Sequence, residues 1–191
     1  MQRITLHPGE HLASNQHCVI STLLGSCVSA CLYDPHNGIV GMNHFLLANR
    51  RYAKDIPLCL TEAGKYGVHA MELVINGMIN LGASRKNLHA KVFGGGSVLS
   101  SPDNSDNFFC VGEVNCRFIL QFLQNEGIPL VASDLGGNTG RTIRFVSDDY
   151  SVYVKKIGKT GTRELAIGEK EFWRRSIEDH KRSHAEPEVW D

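Results

Sequence analysis

No stretch of this 191-residue chain is long and apolar enough to span a bilayer. Its first residues, Met1 to Pro8, lack the apolar core of a secretion signal, so the cytoplasm is the expected compartment, without membrane insertion. Net charge is lacking too: 20 Lys and Arg balance 20 Asp and Glu, so no global field draws nucleic acid. There is no Cys-x-x-Cys pair, and six cysteines without an export signal do not make a disulfide framework. Most of them read as small buried apolar residues. Gly94-Gly95-Gly96-Ser97 is not followed by Gly-Lys-Ser/Thr, which argues against a phosphate loop. A strand-end turn beside a cleft is the better reading, and Gly136-Gly137 suits a similar part. His7, His11 and His17 sit in an irregular segment without a carboxylate or cysteine at helical spacing, so they read as loop histidines. Neither a metal nor an organic cofactor is expected.

What is present is an ordinary globular composition, 42% apolar and 21% charged, enough to bury one sizeable core. Val19–Leu24 and Cys27–Tyr33 are β-rich, and the turn signal Asp34-Pro35-His36-Asn37-Gly38 joins the second run to Ile39–Leu47 as a hairpin. Asn49 to Cys59 is a polar, partly basic loop. Val68, Met71, Val74, Ile75, Met78 and Leu81 recur at steps of three to four, predicting a helix over 61–81 that ends at Gly82. Ala90–Phe93 reads as a strand, and Val114, Phe118, Ile119, Phe122 and Leu123 mark a second helix closed by Gly127. Ile128–Ser133 is a further strand, followed by a hairpin over 142–156. From Glu169 onward the chain turns charged and reads as one helix and a loose tail, with Phe172, Trp173 and Ile177 making one side sticky enough to dock on the body or on a partner. The predicted fold class is α/β (α+β), a layered sandwich with a mixed β-sheet and two main amphipathic helices. Residues 1–160 form its body and 161–191 an appended helix and tail.

The first hairpin suggests chemistry. If its loop centres on Pro35-His36, Cys27 lies directly across from His44, with Cβ atoms about 4.5–5.5 Å apart. Asn37-Gly38 is an alternative centre, and a one-residue slip would put the two on opposite faces. A thiol attacks a carbonyl well only as thiolate, and a nearby imidazole can take its proton and later protonate a leaving group. Gly25 lets a substrate approach the backbone, and N–H groups around Ser26-Cys27 could hold an oxyanion. An orienting partner for His44 is also needed, and Ser21 and Thr22 carry the nearby hydroxyls. The competing reading, a buried strand cysteine and a core histidine, stays open on spacing alone.

Longer stretches add to this. Ser21-Thr22-Leu23-Leu24-Gly25-Ser26-Cys27-Val28-Ser29-Ala30-Cys31-Leu32-Tyr33-Asp34 and Gly41-Met42-Asn43-His44-Phe45-Leu46-Leu47 closely resemble the chemoreceptor glutamine deamidase family, CheD. The resemblance continues through Lys65-Tyr66-Gly67, Ala70-Met71-Glu72-Leu73, Phe93-Gly94-Gly95 and Gly112-x-x-Asn115 to Asp134-x-Gly136-Gly137-x-x-Gly140-Arg141, over about residues 5 to 157.

The resemblance implies hydrolysis of glutamine side-chain amides on methyl-accepting chemotaxis receptors, with Cys27 as nucleophile and His44 as base. The family's third polar position, usually a threonine six residues before the cysteine, falls on Ser21, which makes Ser21 the expected orienter and Thr22 its reserve. Ser26 is a candidate support. Gly25, Asn43, Arg50 and Arg51 are candidate substrate contacts, and Lys54 extends that basic loop. Val114 stands where an arginine commonly follows Gly112-Glu113. The implied fold is a layered sandwich similar to deamidating domains of some bacterial toxins. A CheC-type response-regulator phosphatase is an implied partner, and a non-catalytic module regulating that phosphatase is the alternative function.

Overall fold

The computed structural model describes residues 1–47, 62–97 and 111–183. Its strands divide between two mixed sheets. The first runs in the order β1 (Gln2–Thr5), β3 (Cys18–Leu24), β8 (Arg141–Val146), β9 (Val152–Lys156), with only β1 and β3 parallel. The second runs β2 (His11–Ser14), β5 (Ile39–Asn43), β4 (Val28–Asp34), β6 (His89–Gly94), β7 (Leu130–Leu135), with only β6 and β7 parallel. Helices α1 (Glu62–Asn80) and α2 (Val111–Asn125) cover the outer face of the second sheet. The result is a three-layer stack of sheet, sheet and helices, and a third helix, α3 (Lys159–Ser183), follows β9.

Strand β4 lies in the middle layer and is buried at all seven positions. Its even-numbered residues Val28, Ala30 and Leu32 meet Met71, Val74, Phe118 and Ile119 of the helices. Its odd-numbered residues Cys31 and Tyr33 face Ile20, Ile143 and Phe145 of the first sheet. Burial on both faces explains why this strand reads as a continuous apolar run without alternation. On β5 the parity is reversed, with Ile39 toward the helices and Val40 and Met42 between the sheets. Gly41 is required by packing, because a Cβ there would stand 2.5 Å from Met78 Sδ and 2.8 Å from Val74. Both helices stop as expected, at Gly82 (φ +106°) and Gly127 (φ +65°), in the left-handed conformation that glycine adopts without strain.

One expectation is corrected here. The N-terminal segment is not irregular: β1 and β2 each extend a different sheet, four residues being too few to show a period. The fold is the expected α/β (α+β) layered sandwich, its strands forming two mixed sheets. The C-terminal helix begins at Lys159, two residues before the expected 161, and buries Thr162 and Ala166 against the body.

Candidate active site

Hairpin β4–β5 closes around a four-residue loop, with Asp34 paired to Ile39, Cys31 to Met42, and Val28 bridging Phe45. The loop centre therefore lies between His36 and Asn37. Direct opposition of Cys27 and His44 is corrected: in this register Cys27 faces position 46, and His44 is its diagonal neighbour. The pairing has slipped by an even number of positions, so both side chains remain on one face, toward the first sheet. Cys27 is fully buried and His44 is 2% exposed. Cys27 Sγ and a ring nitrogen of His44 lie within 4.8 Å.

The hydroxyl beside His44 is that of Thr22. Its Oγ1 is 2.7 Å from His44 Nδ1 and also donates to the Leu6 carbonyl at 2.7 Å. A hydroxyl has one proton, and with that proton on Leu6 it accepts from Nδ1–H. The other ring nitrogen, Nε2, is then the unprotonated one, and it is buried without a hydrogen-bond partner. The expectation for Ser21 is corrected: its Oγ donates to the Ile4 carbonyl and sits 3.3 Å from Thr5 Oγ1. Alternation along β3 is the reason, since Cys18, Ile20, Thr22 and Leu24 point inward while Ser21 does not.

Between β3 and β4 the backbone N–H groups of three successive residues converge on one anion, the carboxylate of Glu169 from α3. Gly25 N–H donates to Oε1 at 2.8 Å, Ser26 N–H to Oε2 at 2.6 Å, and Cys27 N–H to Oε1 at 3.4 Å. Ser26 Oγ adds a fourth bond to Oε2 at 2.7 Å. Such a run of N–H groups is an anion-binding nest. Gly25 makes the approach feasible, because a Cβ there would stand 2.7 Å from Glu169 Oε2.

The nest is held open from behind by its own carbonyls. Gly96 N–H donates to Gly25 O and Gly95 N–H to Cys27 O, both at 2.7 Å. Asn115 Nδ2 donates to Ser26 O at 2.8 Å. With the carbonyls fixed on one side, the amides face the other. Gly94 (φ +112°) packs so closely that a Cβ would collide with Cys27 O. Gly136 N–H donates to Gly94 O, and Ser97 N–H donates to Gly137 O, so both glycine loops brace this end of the sheet as expected. Asn115 also accepts from Leu47 N–H at 2.9 Å, tying the cysteine loop to the chain beyond His44.

Burial pushes the Cys27 thiol well above its ordinary value, and the neighbouring Glu169 charge pushes it further the same way. Burial lowers His44 to about 3, against a raising contribution from the Leu6 carbonyl and with a smaller lowering from His7. Thiol and imidazole are thus both neutral at neutral pH.

Other expected contacts fare differently. Asn43 is not free for a substrate: it lies on the helix-facing side of β5, where Oδ1 accepts from Ala30 N–H and Nδ2 donates to Ala70 O. Arg50, Arg51 and Lys54 lie outside the described residues. Cys27, His44 and Glu169 offer one ligand atom each within 4.8 Å of one another, a donor set that could hold a metal ion. Both carboxylate oxygens are already taken by N–H and O–H donors, which suits an anion's seat better than a cation's. Glu169 is a site residue that the sequence does not single out, and Asn115 enters the sequence reading only within the Gly112-x-x-Asn115 match, without a role. Glu169 reads as one charge among many on a solvated helix, though it falls in a stripe with Thr162, Ala166 and Phe172 at helical spacing.

A family model described as CheD chemotactic sensory transduction matches residues 54–156. The probable chemoreceptor glutamine deamidase CheD 1 of Geobacter sulfurreducens is 48% identical over 187 residues, spanning 98% of this chain and 93% of its own. The probable chemoreceptor glutamine deamidase CheD 2 of Shewanella oneidensis is 50% identical over 151 residues, 78% of this chain and 74% of its own. Among solved structures, the hypothetical protein YfiH of Bacillus licheniformis has a TM-score of 0.38 at 14% identity, covering 65% of this chain and 49% of that one.

Proposed function

The chain belongs to the CheD family, and on that premise we propose that it hydrolyses glutamine side-chain amides of methyl-accepting chemoreceptors to glutamate, with Cys27 as nucleophile and His44 as base. The observation that carries this reading is the nest of Gly25, Ser26 and Cys27 N–H groups beside the buried thiol and the Thr22-tethered imidazole. In the first step His44 Nε2 takes the Cys27 proton while Sγ attacks the glutamine Cδ. Thiol and imidazole are neutral while Glu169 fills the nest, and the proton passes from Sγ to Nε2 as the thiol attacks. The developing oxyanion enters the nest, where Ser26 Oγ supplies a further donor. His44 returns the proton to the departing nitrogen, ammonia leaves, and a γ-glutamyl thioester remains on Cys27. Water then attacks the thioester with His44 as base, and the thiol is regenerated as glutamate departs. Thr22 acts through His44 as a positioning residue, keeping Nδ1 protonated and Nε2 free.

This reading places the reaction in the cytoplasm. Among the described residues no helix is long and apolar enough to cross a membrane. A CheC-type phosphatase is the proposed partner, and failure of the two to co-purify would remove it. For the activity itself, a glutamine-bearing receptor fragment is incubated with the protein, and released ammonia and the amide-to-acid mass change are followed. Wild type is expected to convert the fragment and Cys27→Ala to leave it unchanged. A fragment untouched by wild type would contradict the reading.

A further inference from the structure

We infer that α3 is a built-in product mimic: it lies in the protein's own active site as a substrate helix would, with Glu169 in the seat of the product carboxylate. This rests on the amide hydrolysis proposed above and adds one thing to it: the free enzyme is held closed by a helix of its own.

The chemistry of the occupant is the first reason. The proposed reaction turns a glutamine side chain into a glutamate side chain, and a glutamate side chain fills the nest. Its partners are three main-chain amides and one hydroxyl from Gly25, Ser26 and Cys27, the segment that carries the proposed nucleophile. A carboxylate kept only to anchor a helix has no need of that loop. It is also a poor neighbour for a cysteine that must ionise, since its charge works against the thiolate.

The second reason is access. Cys27 is 0% exposed and His44 2%, so a glutamine on another protein cannot reach Sγ in the observed arrangement. Glu169 holds the donors that an incoming amide oxygen needs, so productive binding requires it to leave. The third reason is how α3 is attached. Its inner stripe runs Thr162, Ala166, Glu169, Phe172, at steps of three and four. Thr162 Oγ1 accepts from Gly140 N–H at 3.1 Å, and Phe172 packs against the inter-sheet cluster and beside Gly9. Arg163, Glu164, Glu171, Arg174 and Arg175 on the same helix are exposed, so its outer face is charged. Among the described residues Thr162, Ala166 and Phe172 flank a central side chain held by four bonds.

The test makes the mimic into a substrate. In the full chain, Glu169→Gln brings an amide to the nest beside Cys27, its oxygen accepting from the main-chain donors and its NH2 turned away from them. Peptide mass spectrometry of the purified variant is expected to find the introduced amide converted back to glutamate, with a rate independent of protein concentration, and unconverted when Cys27→Ala is added. Glu169→Ala removes a carboxylate that four donors hold and is expected to raise kcat/KM on the receptor fragment by about tenfold or more. Phe172→Ala, which loosens the helix without touching the cysteine loop, is expected to raise it in the same direction. Melting curves establish that each variant is folded. An introduced amide that persists in Glu169→Gln, together with folded Glu169→Ala and Phe172→Ala variants no faster than wild type, would overturn the inference while Cys27-dependent receptor turnover left the proposed function standing. Absence of receptor turnover in wild type and in both helix variants would instead remove the function, and the inference with it.

Discussion

At the scale of single residues, catalysis turns on which hydroxyl holds His44. Thr22→Val removes the acceptor of Nδ1–H and the hydroxyl that donates to the Leu6 carbonyl. A fall in kcat of about 10- to 100-fold with little change in KM is expected, because proton transfer depends on the imidazole's pose. Ser21→Ala is expected to stay within about twofold of wild type, having lost only an edge contact far from the reacting atoms. Receptor-fragment kinetics decide between them, and the reverse ranking would return the role to Ser21. His44 also sets a stability signature. Folding keeps it neutral down to about pH 3, while in the unfolded chain it takes up a proton near 6.5. The unfolded state binds more protons across that window, so stability is full above the unfolded value and falls as pH drops through it. The slope is about 1.4 kcal/mol per pH unit. Urea titrations should show that acid limb flattened in His44→Gln, and equal slopes would contradict the burial argument. Spacing alone leaves Cys27 and His44 open, and the resemblance singles them out; the two share a face in the structure because parity survives an even slip. The choice of Thr22 was not legible, because the face β3 presents is decided by a neighbouring sheet.

At the scale of elements, the hairpin, both glycine loops and α2 act together to aim three amides. Asn115 is the joint: one side chain bonds Ser26 O and Leu47 N–H, so it fixes the cysteine loop and the chain after His44 at once. Asn115→Ala leaves two buried backbone groups unpaired, at about 1–3 kcal/mol each. A lower melting temperature and a reduced kcat are therefore expected together, and a stable variant of full activity would show that the loop holds itself. The amphipathic helices were readable to within a few residues, since a 3.6-residue stripe survives any tertiary context. Strands β1 and β2 were not, because four-residue edge strands carry too few positions for a period to show. Glu169 was not readable either. It meets Gly25 across 144 residues of chain, and on a helix rich in exposed charge only its place in the inner stripe sets it apart.

For the molecule as a whole, the three-layer stack explains why the proposed nucleophile sits between two sheets. Strand β4 is buried on both faces, so the loop feeding it emerges at the rim of the inter-sheet space, where Thr22 of one sheet meets His44 of the other. α3 then closes that rim with a carboxylate. The central claim is that Cys27 forms a covalent link to a receptor glutamine, and acid quenching during turnover tests it most directly. The quenched Cys27 peptide, read by mass spectrometry, should carry the receptor segment as a γ-glutamyl thioester in wild type and nothing in Cys27→Ala. Deamidated receptor appearing at the full rate with Cys27→Ala, and no adduct on wild type, would contradict the account.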